Sequence, residues 1–231
     1  MSRRVADVEA AFDAAAAAGR LLMEAFMWRY HEQTAVLARM VGEGAVGPVR
    51  HVRAAFSFSM PADSGDVRWD PELDGGALMD VGCYCVSGLR LLLGEPSRVS
   101  AEQVTGGPGE GVDARMAGVL RFDGDVLGSF ECGIDTVGRS RLEVFGSDGA
   151  LVTTDPWHGG SPDLTLVGAD GSREAIAVEA VNPYAREVED LSRAVREGGS
   201  PRLGREDAVA QARVIEALYR SAAEGRAVDV G

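Results

Sequence analysis

Val52-Arg53-Ala54-Ala55-Phe56-Ser57-Phe58-Ser59-Met60 carries an apolar residue at every second position, with Arg53, Ala55, Ser57 and Ser59 between them. A period of two sustained this long is a strand with one buried face. The alternation returns in Val126, Gly128, Phe130, Cys132 and Ile134. Three pairs, Asp123-Gly124, Asp148-Gly149 and Asp170-Gly171, each separate two strand-like runs. Asp-Gly supplies the positive φ angles of tight hairpins, so three in succession predict an antiparallel meander. Helices punctuate this sheet. Residues 78–93 form an apolar one, and Tyr184, Val188, Leu191 and Val195 stripe a second. Val209, Ala212, Ile215 and Tyr219 stripe a third, behind acidic Glu206 and Asp207 in its first turn. Strands grouped together with helices packed on one face describe an α+β fold around an open, mainly antiparallel sheet.

Residues 1–29 read differently. Val5, Val8 and Phe12 recur at helical spacing, Ala14–Ala18 is a strongly helix-forming run, and Gly19 suits the C-terminal cap. Leu21-Leu22-Met23-Glu24-Ala25-Phe26 comes next as a short apolar run suited to a buried strand. One helix and one strand do not close a core, so the pair reads as the tail of a larger unit. Beyond residue 31, Leu37, Met40 and Val41 mark a short helix, and then comes Gly42-Glu43-Gly44-Ala45-Val46-Gly47, a literal G-x-G-x-x-G. A dinucleotide loop needs a strand before it and a helix after it. The order here is reversed, and the segment reads as a plain turn. Thr105–Gly111 is the one loop-like, low-complexity stretch.

The chain has 231 residues with 23 cationic side chains, every one an Arg, against 36 carboxylates, for a net charge of −13. Nothing supplies a basic stripe to displace counterions, which excludes nucleic acid as a partner. Arg3 and Arg4 imitate the start of a signal peptide, but Asp7, Glu9 and Asp13 break any apolar segment behind them. No apolar run approaches the roughly 20 residues that cross a bilayer. Cys83, Cys85 and Cys132 are too few and too odd in number for a secreted disulfide framework. The expectation is a cytoplasmic chain without a membrane partner. Cys83 and Cys85 point about 200° apart on a helix, and His31, His51 and His158 have no paired spacing, so no metal site is expected. No G-x-S-x-G elbow selects a hydrolytic serine.

The chemistry concentrates in Asp74-Gly75-Gly76-Ala77-Leu78-Met79-Asp80-Val81-Gly82-Cys83-Tyr84-Cys85. Two glycines remove side-chain bulk where a helix begins, leaving room for a ligand or another backbone. Asp80 and Tyr84 are four apart and share a helix face. A carboxylate and a phenol so placed orient and protonate an alcohol or carbonyl oxygen. The alternative is that Asp80 caps the helix and Tyr84 packs with its hydroxyl satisfied.

Three segments together carry a family resemblance: Glu24-Ala25-Phe26-Met27-Trp28-Arg29-Tyr30-His31, Gly44-Ala45-Val46-Gly47, and Gly75 through Tyr84. They resemble the Gfo/Idh/MocA oxidoreductases, and the likeness runs on through Arg213–Arg220. Tyr at position 84 is similar to the glucose–fructose oxidoreductase and dihydrodiol dehydrogenase branch. The resemblance implies an N-terminal dinucleotide-binding domain, of which residues 1–29 hold the terminal helix and strand, and a C-terminal α+β domain for substrate and association over residues 30–231. It implies NAD or NADP in the complete enzyme, a sugar, polyol or diol substrate, and a homodimer through the open sheet face. Tyr84 and Asp80 then take the catalytic roles, and Arg29, Phe56, Trp157 and His158 line the substrate pocket. The family's glycine loop and its Glu-Lys-Pro motif have no counterpart in a chain without Lys. This chain alone is therefore expected to bind no cofactor. The rival reading is a non-catalytic module that dimerises or binds a small molecule.

Overall fold

The long alternating run becomes β1 (Val49–Ser59), whose Val52, Ala54 and Phe56 are buried. The other strands are β2 (Arg98–Gly106), β3 (Val112–Arg121), β4 (Leu127–Gly133), β5 (Asp135–Gly146), β6 (Gly149–Thr153), β7 (Thr165–Gly168), β8 (Arg173–Ala175) and β9 (Val228–Asp229). This computed structural model describes residues 2–62, 64–108, 111–158 and 162–231. Its strands form one open sheet in the order β8-β7-β6-β5-β1-β4-β3-β2-β9. Only β1 and β4 run parallel; the other neighbours are antiparallel.

The expected meander is interrupted. The strand first in sequence is wedged between β4 and β5, so that Ala54 faces Phe130 on one side and Leu142 on the other. All three Asp-Gly pairs do join antiparallel neighbours. Gly124 and Gly171 have positive φ as expected, but neither Asp148 nor Gly149 does. There the turn is held instead by the Asp148 N–H, which donates to the Val46 carbonyl at 2.9 Å. The segment expected to be a loop from Thr105 begins with the last two residues of β2, while Gly109 and Glu110 lie outside the described residues.

The helices are α1 (Val5–Ala17), α2 (Glu32–Gly42), α3 (Cys83–Leu93), α4 (Pro183–Glu197) and α5 (Arg205–Glu224). Two of them, α3 and α5, pack directly on the sheet face that carries Val52, Phe130 and Val99. Val8 and Phe12 of α1 are buried against Ala208, Val209 and Ala212 of α5. Residues 21–26 correct the sequence reading, for they form no strand. No described strand lies beside them; Glu24 N–H donates to the Leu203 carbonyl at 3.2 Å. The turn Gly42–Gly47 does join a helix to a strand.

The stripe read on α4 is also corrected. Tyr184, Val188 and Val195 are exposed, and Glu187, Asp190 and Ala194 face inward. Burying Asp190 is tolerable because its carboxylate is satisfied. It accepts the Tyr30 hydroxyl at 2.9 Å and the Arg202 N–H at 2.8 Å. The stretch Pro71–Leu93 is apolar and long enough by composition to span a bilayer, a length the apolar-run count did not anticipate. Its most apolar 18-residue window is 67% buried in this fold, with α3 as the core helix.

Candidate active site

Protein, rather than ligand, fills the space beside Gly75-Gly76. A Cβ on Gly75 would lie 2.7 Å from the carbonyl oxygens of Arg68 and Asp70. Gly76, at φ +119°, faces the Asp113 carboxylate on β3 too closely for any Cβ. That carboxylate accepts the Leu78 N–H at 2.6 Å and the Tyr219 hydroxyl at 2.9 Å. Asp113, not Asp80, therefore caps the helix. Burial pushes the Asp113 carboxyl above its ordinary range, with the two hydrogen bonds opposing. Asp113→Ala is expected to lose about 2–6 kcal/mol in chemical denaturation, because two buried donors lose their acceptor at about 1–3 kcal/mol each. The raised folded-state value also sets a sign: protonation is easier in the folded chain, so the burial cost is relieved as pH falls through that value. Between neutral pH and the ordinary carboxylate range, wild type should gain stability relative to Asp113→Asn.

Leu78–Gly82 is a π-helical turn that leads into α3. Such turns cluster at functional sites. Gly82 lets this turn sit on β4, where a Cβ would meet Cys132 Sγ at 2.7 Å. Asp80 accepts from Arg68 Nε at 2.8 Å, and Arg68 also pairs with Asp66 at 3.1 Å. Burial holds the Asp80 carboxyl above its ordinary value, with Arg68 pulling the other way. The Tyr84 ring stands edge-on to Phe26 at 5.2 Å, Phe56 at 5.5 Å and Trp157 at 6.2 Å. Its hydroxyl makes no hydrogen bond to any described residue. Burial first, and neighbours including Asp80 after it, push the phenol above its ordinary value. A phenol in that state keeps its proton at neutral pH and is available to give it.

Tyr84 and Asp80 stand between two hollows. One, of about 610 Å³, is bordered by Phe56, Phe58, Arg68, Arg141, Thr154 and His158. The other, of about 210 Å³, is bordered by Glu24, Phe26, Met79, Gln211 and Ile215. A larger hollow of about 720 Å³ lies on the open sheet face and touches neither residue. Both titratable groups border each of the first two hollows, and the first has the size that suits a small ligand.

The residues expected to line the pocket separate. Phe56 and His158 border the hollow with their rings edge to face at 5.3 Å. Trp157 is 1% exposed, donates Nε1–H to the Ala55 carbonyl at 2.9 Å, and stacks behind Phe56 at 6.0 Å. It supports the wall without forming it. Arg29 lies outside the hollow. Its Nη1 donates to Ser87 at 3.2 Å and sits 3.7 Å from Asp207, a carboxylate that Arg90 approaches at 3.5 Å. That buried cluster ties α5 to α3, and burial pulls the Arg29 guanidinium below its ordinary value. Sequence reasoning missed Arg68, Arg141, Phe58 and Thr154. Arg68 comes from an irregular segment without periodicity, and only the sheet order sets the end of β6 beside β5, which in turn pairs with β1.

Residues 34–152 match the model of the GFO/IDH/MocA C-terminal domain. The chain belongs to the Gfo/Idh/MocA family. It is 40% identical over 227 residues to D-xylose 1-dehydrogenase (NADP(+)) 2 of Haloferax volcanii, across 97% of this chain and 69% of the relative. It superposes with a TM-score of 0.91 on aldose-aldose oxidoreductase from Caulobacter crescentus complexed with glycerol, at 30% identity over 99% of this chain and 70% of that one. A 3-ketoreductase from Actinomadura kijaniata, solved with NADP and TDP-benzene, superposes at 0.87, at 26% identity over 94% and 67% of the two chains. The chain thus spans about two thirds of these Gfo/Idh/MocA oxidoreductases. No group of three or more potential metal ligands assembles among the described residues of this family member. Its three cysteines are buried and free.

Proposed function

We propose that this chain is the substrate-binding and association part of an NAD(P)-dependent oxidoreductase acting on a sugar, polyol or diol. In this reading residues 1–29 end a dinucleotide-binding domain and residues 30–231 form the substrate domain of a cytoplasmic enzyme. The observation that carries it is the Tyr84 hydroxyl, free of described partners, beside an Arg68-paired Asp80 at the wall of the 610 Å³ hollow. A nicotinamide, when bound, supplies or accepts the hydride. Tyr84 gives its proton to the oxygen of a carbonyl being reduced, or takes it back from the alcohol being oxidised. Asp80, held by Arg68, orients that hydroxyl group. Phe56 and His158 exclude water from one side.

The described residues do not by themselves fit a dinucleotide. The one helix that follows a strand across a glycine pair, after β1 and Gly75-Gly76, has its N-terminus filled by the Asp113 carboxylate. NADH or NADPH titrated into this 231-residue chain should give negligible binding. A micromolar dissociation constant would overturn the domain reading. Joined to a dinucleotide-binding domain, the chain should turn over an aldose or a vicinal diol with NAD or NADP. No turnover of either class by a folded protein would overturn the function.

Association follows from the sheet's uncovered face. Val104, Val119, Leu127 and Val137 are exposed there, among the pairs Arg53–Glu143 at 2.8 Å and Arg115–Asp135 at 2.7 Å. Apolar side chains spread over an open face favour a covering partner, and the reading supplies a second copy of the same face. Light scattering at micromolar concentration should give the mass of a dimer; a strictly monomeric mass would count against it.

A further inference from the structure

The hollow beside Tyr84 carries a charge opposite to that of the whole chain. In a protein of net charge −13 its lining holds Arg68, Arg139 and Arg141 against the single carboxylate of Asp80. Two of these cations are already used. Arg68 pairs with Asp80 and Asp66, and Arg139 pairs with Glu131 at 3.2 Å. Arg141 is different. It is half-buried, it makes no ion pair with any described residue, and among those residues its Nη1 donates only to the carbonyls of Ser140 at 2.7 Å and Thr154 at 3.3 Å. Its Nε and Nη2 have no hydrogen-bond partner among the described residues. Two neutral carbonyls thus anchor one nitrogen of the guanidinium, on a side chain that borders both this hollow and the larger one on the open sheet face. A half-buried arginine that is fixed but not neutralised is a site for a carboxylate or phosphate, whose paired oxygens match its planar fork.

We propose that Arg141 binds an anionic substituent of the substrate, so that this hollow takes an acidic or phosphorylated sugar in preference to a neutral one. The inference rests on the proposed function, since it places the reacting hydroxyl or carbonyl at Tyr84 and the anion at Arg141. A hollow of about 610 Å³ has room for both ends of such a molecule. The neighbouring His158 borders the same hollow, with its Nδ1 3.6 Å from Asp155. Direct hydrogen bonds to an ionised group strengthen binding about ten- to a hundredfold.

The test is binding of D-glucose, D-gluconate and D-glucose 6-phosphate to this chain at one ionic strength, monitored by amide chemical shifts at Tyr84 and Thr154. At least one charged probe should bind about ten- to a hundredfold more tightly than D-glucose, and whichever does so tells carboxylate from phosphate. Arg141→Met should abolish the difference, and Arg141→Lys should restore part of it. An unchanged melting curve certifies the fold of each variant. Equal affinity for all three probes would overturn the anion site while leaving the sugar reading in place. So would a charged-probe preference that survives Arg141→Met. If Arg141→Met instead lowered the oligomeric mass in light scattering, the side chain would serve the interface and the proposal would fall. Should no probe shift the Tyr84 amide, the functional reading of the hollow would fall with it.

Discussion

Tyr84→Phe is expected to lower turnover by about 10²–10⁴ in an active enzyme that contains this chain, the usual worth of a general acid–base group. Cofactor affinity should barely change, because the proposed reading puts the phenol on the substrate side. Stability should shift by no more than about 0.5 kcal/mol, since the hydroxyl has no described partner to orphan and the ring keeps its contacts with Phe26, Phe56 and Trp157. The pH profile supplies a second check. Burial raises the phenol from its ordinary value of about 10, so the acid form persists throughout the neutral range. The rate of carbonyl reduction should therefore show no alkaline decline from Tyr84 below about pH 10. Near-full turnover by a folded Tyr84→Phe enzyme would make Tyr84 a packing residue.

Gly76→Ala should destabilise the chain more than any other single methyl addition in the site. Two costs combine. The backbone at φ +119° is strained for any residue with a Cβ, on the order of 1–3 kcal/mol. The new methyl also displaces the Asp113 carboxylate, which leaves the Leu78 N–H and Tyr219 hydroxyl without an acceptor, at about 1–3 kcal/mol for each buried group. Together these approach the whole stability of a typical domain, about 5–15 kcal/mol. Chemical denaturation of Gly76→Ala, Asp113→Ala and the double variant measures the coupling. The alanine at 76 should cost less once the carboxylate is gone, and strict additivity would show that the two residues do not share one space.

Local pattern was enough for the elements, and long-range pairing was not. The alternation from Val52 made β1 legible, yet its neighbours are residues 127–133 and 135–146, which no local signal selects. The stripe on α4 misled because apolarity was read as burial. Hydrogen bonds from Tyr30 and Arg202 draw Asp190 inward and turn Val188 and Val195 to solvent. Asp80 and Tyr84 were legible as a pair because the π-helical turn still leaves both on the wall of one hollow. Asp113 carried an unread signal, a carboxylate between the apolar Val112 and Ala114 at the start of a strand. The partners Arg68 and Arg141 had none, since only the assembled sheet brings them to the hollow.

The central position of β1 has a consequence during synthesis. Its edges pair with residues beginning at Leu127 and Asp135, so the strand leaves the ribosome well before either partner exists. At about 5–20 residues per second the wait lasts several seconds. For that time Val52, Ala54, Phe56 and Phe58 form an apolar strand with two bare edges, a template for pairing with another nascent chain. Insertion of a late-paired strand into the middle of a sheet is a non-local step that slows folding. The nascent chain is therefore most exposed to misassembly between the emergence of residue 59 and that of residue 146, and a chaperone that shields extended apolar segments would act in that window.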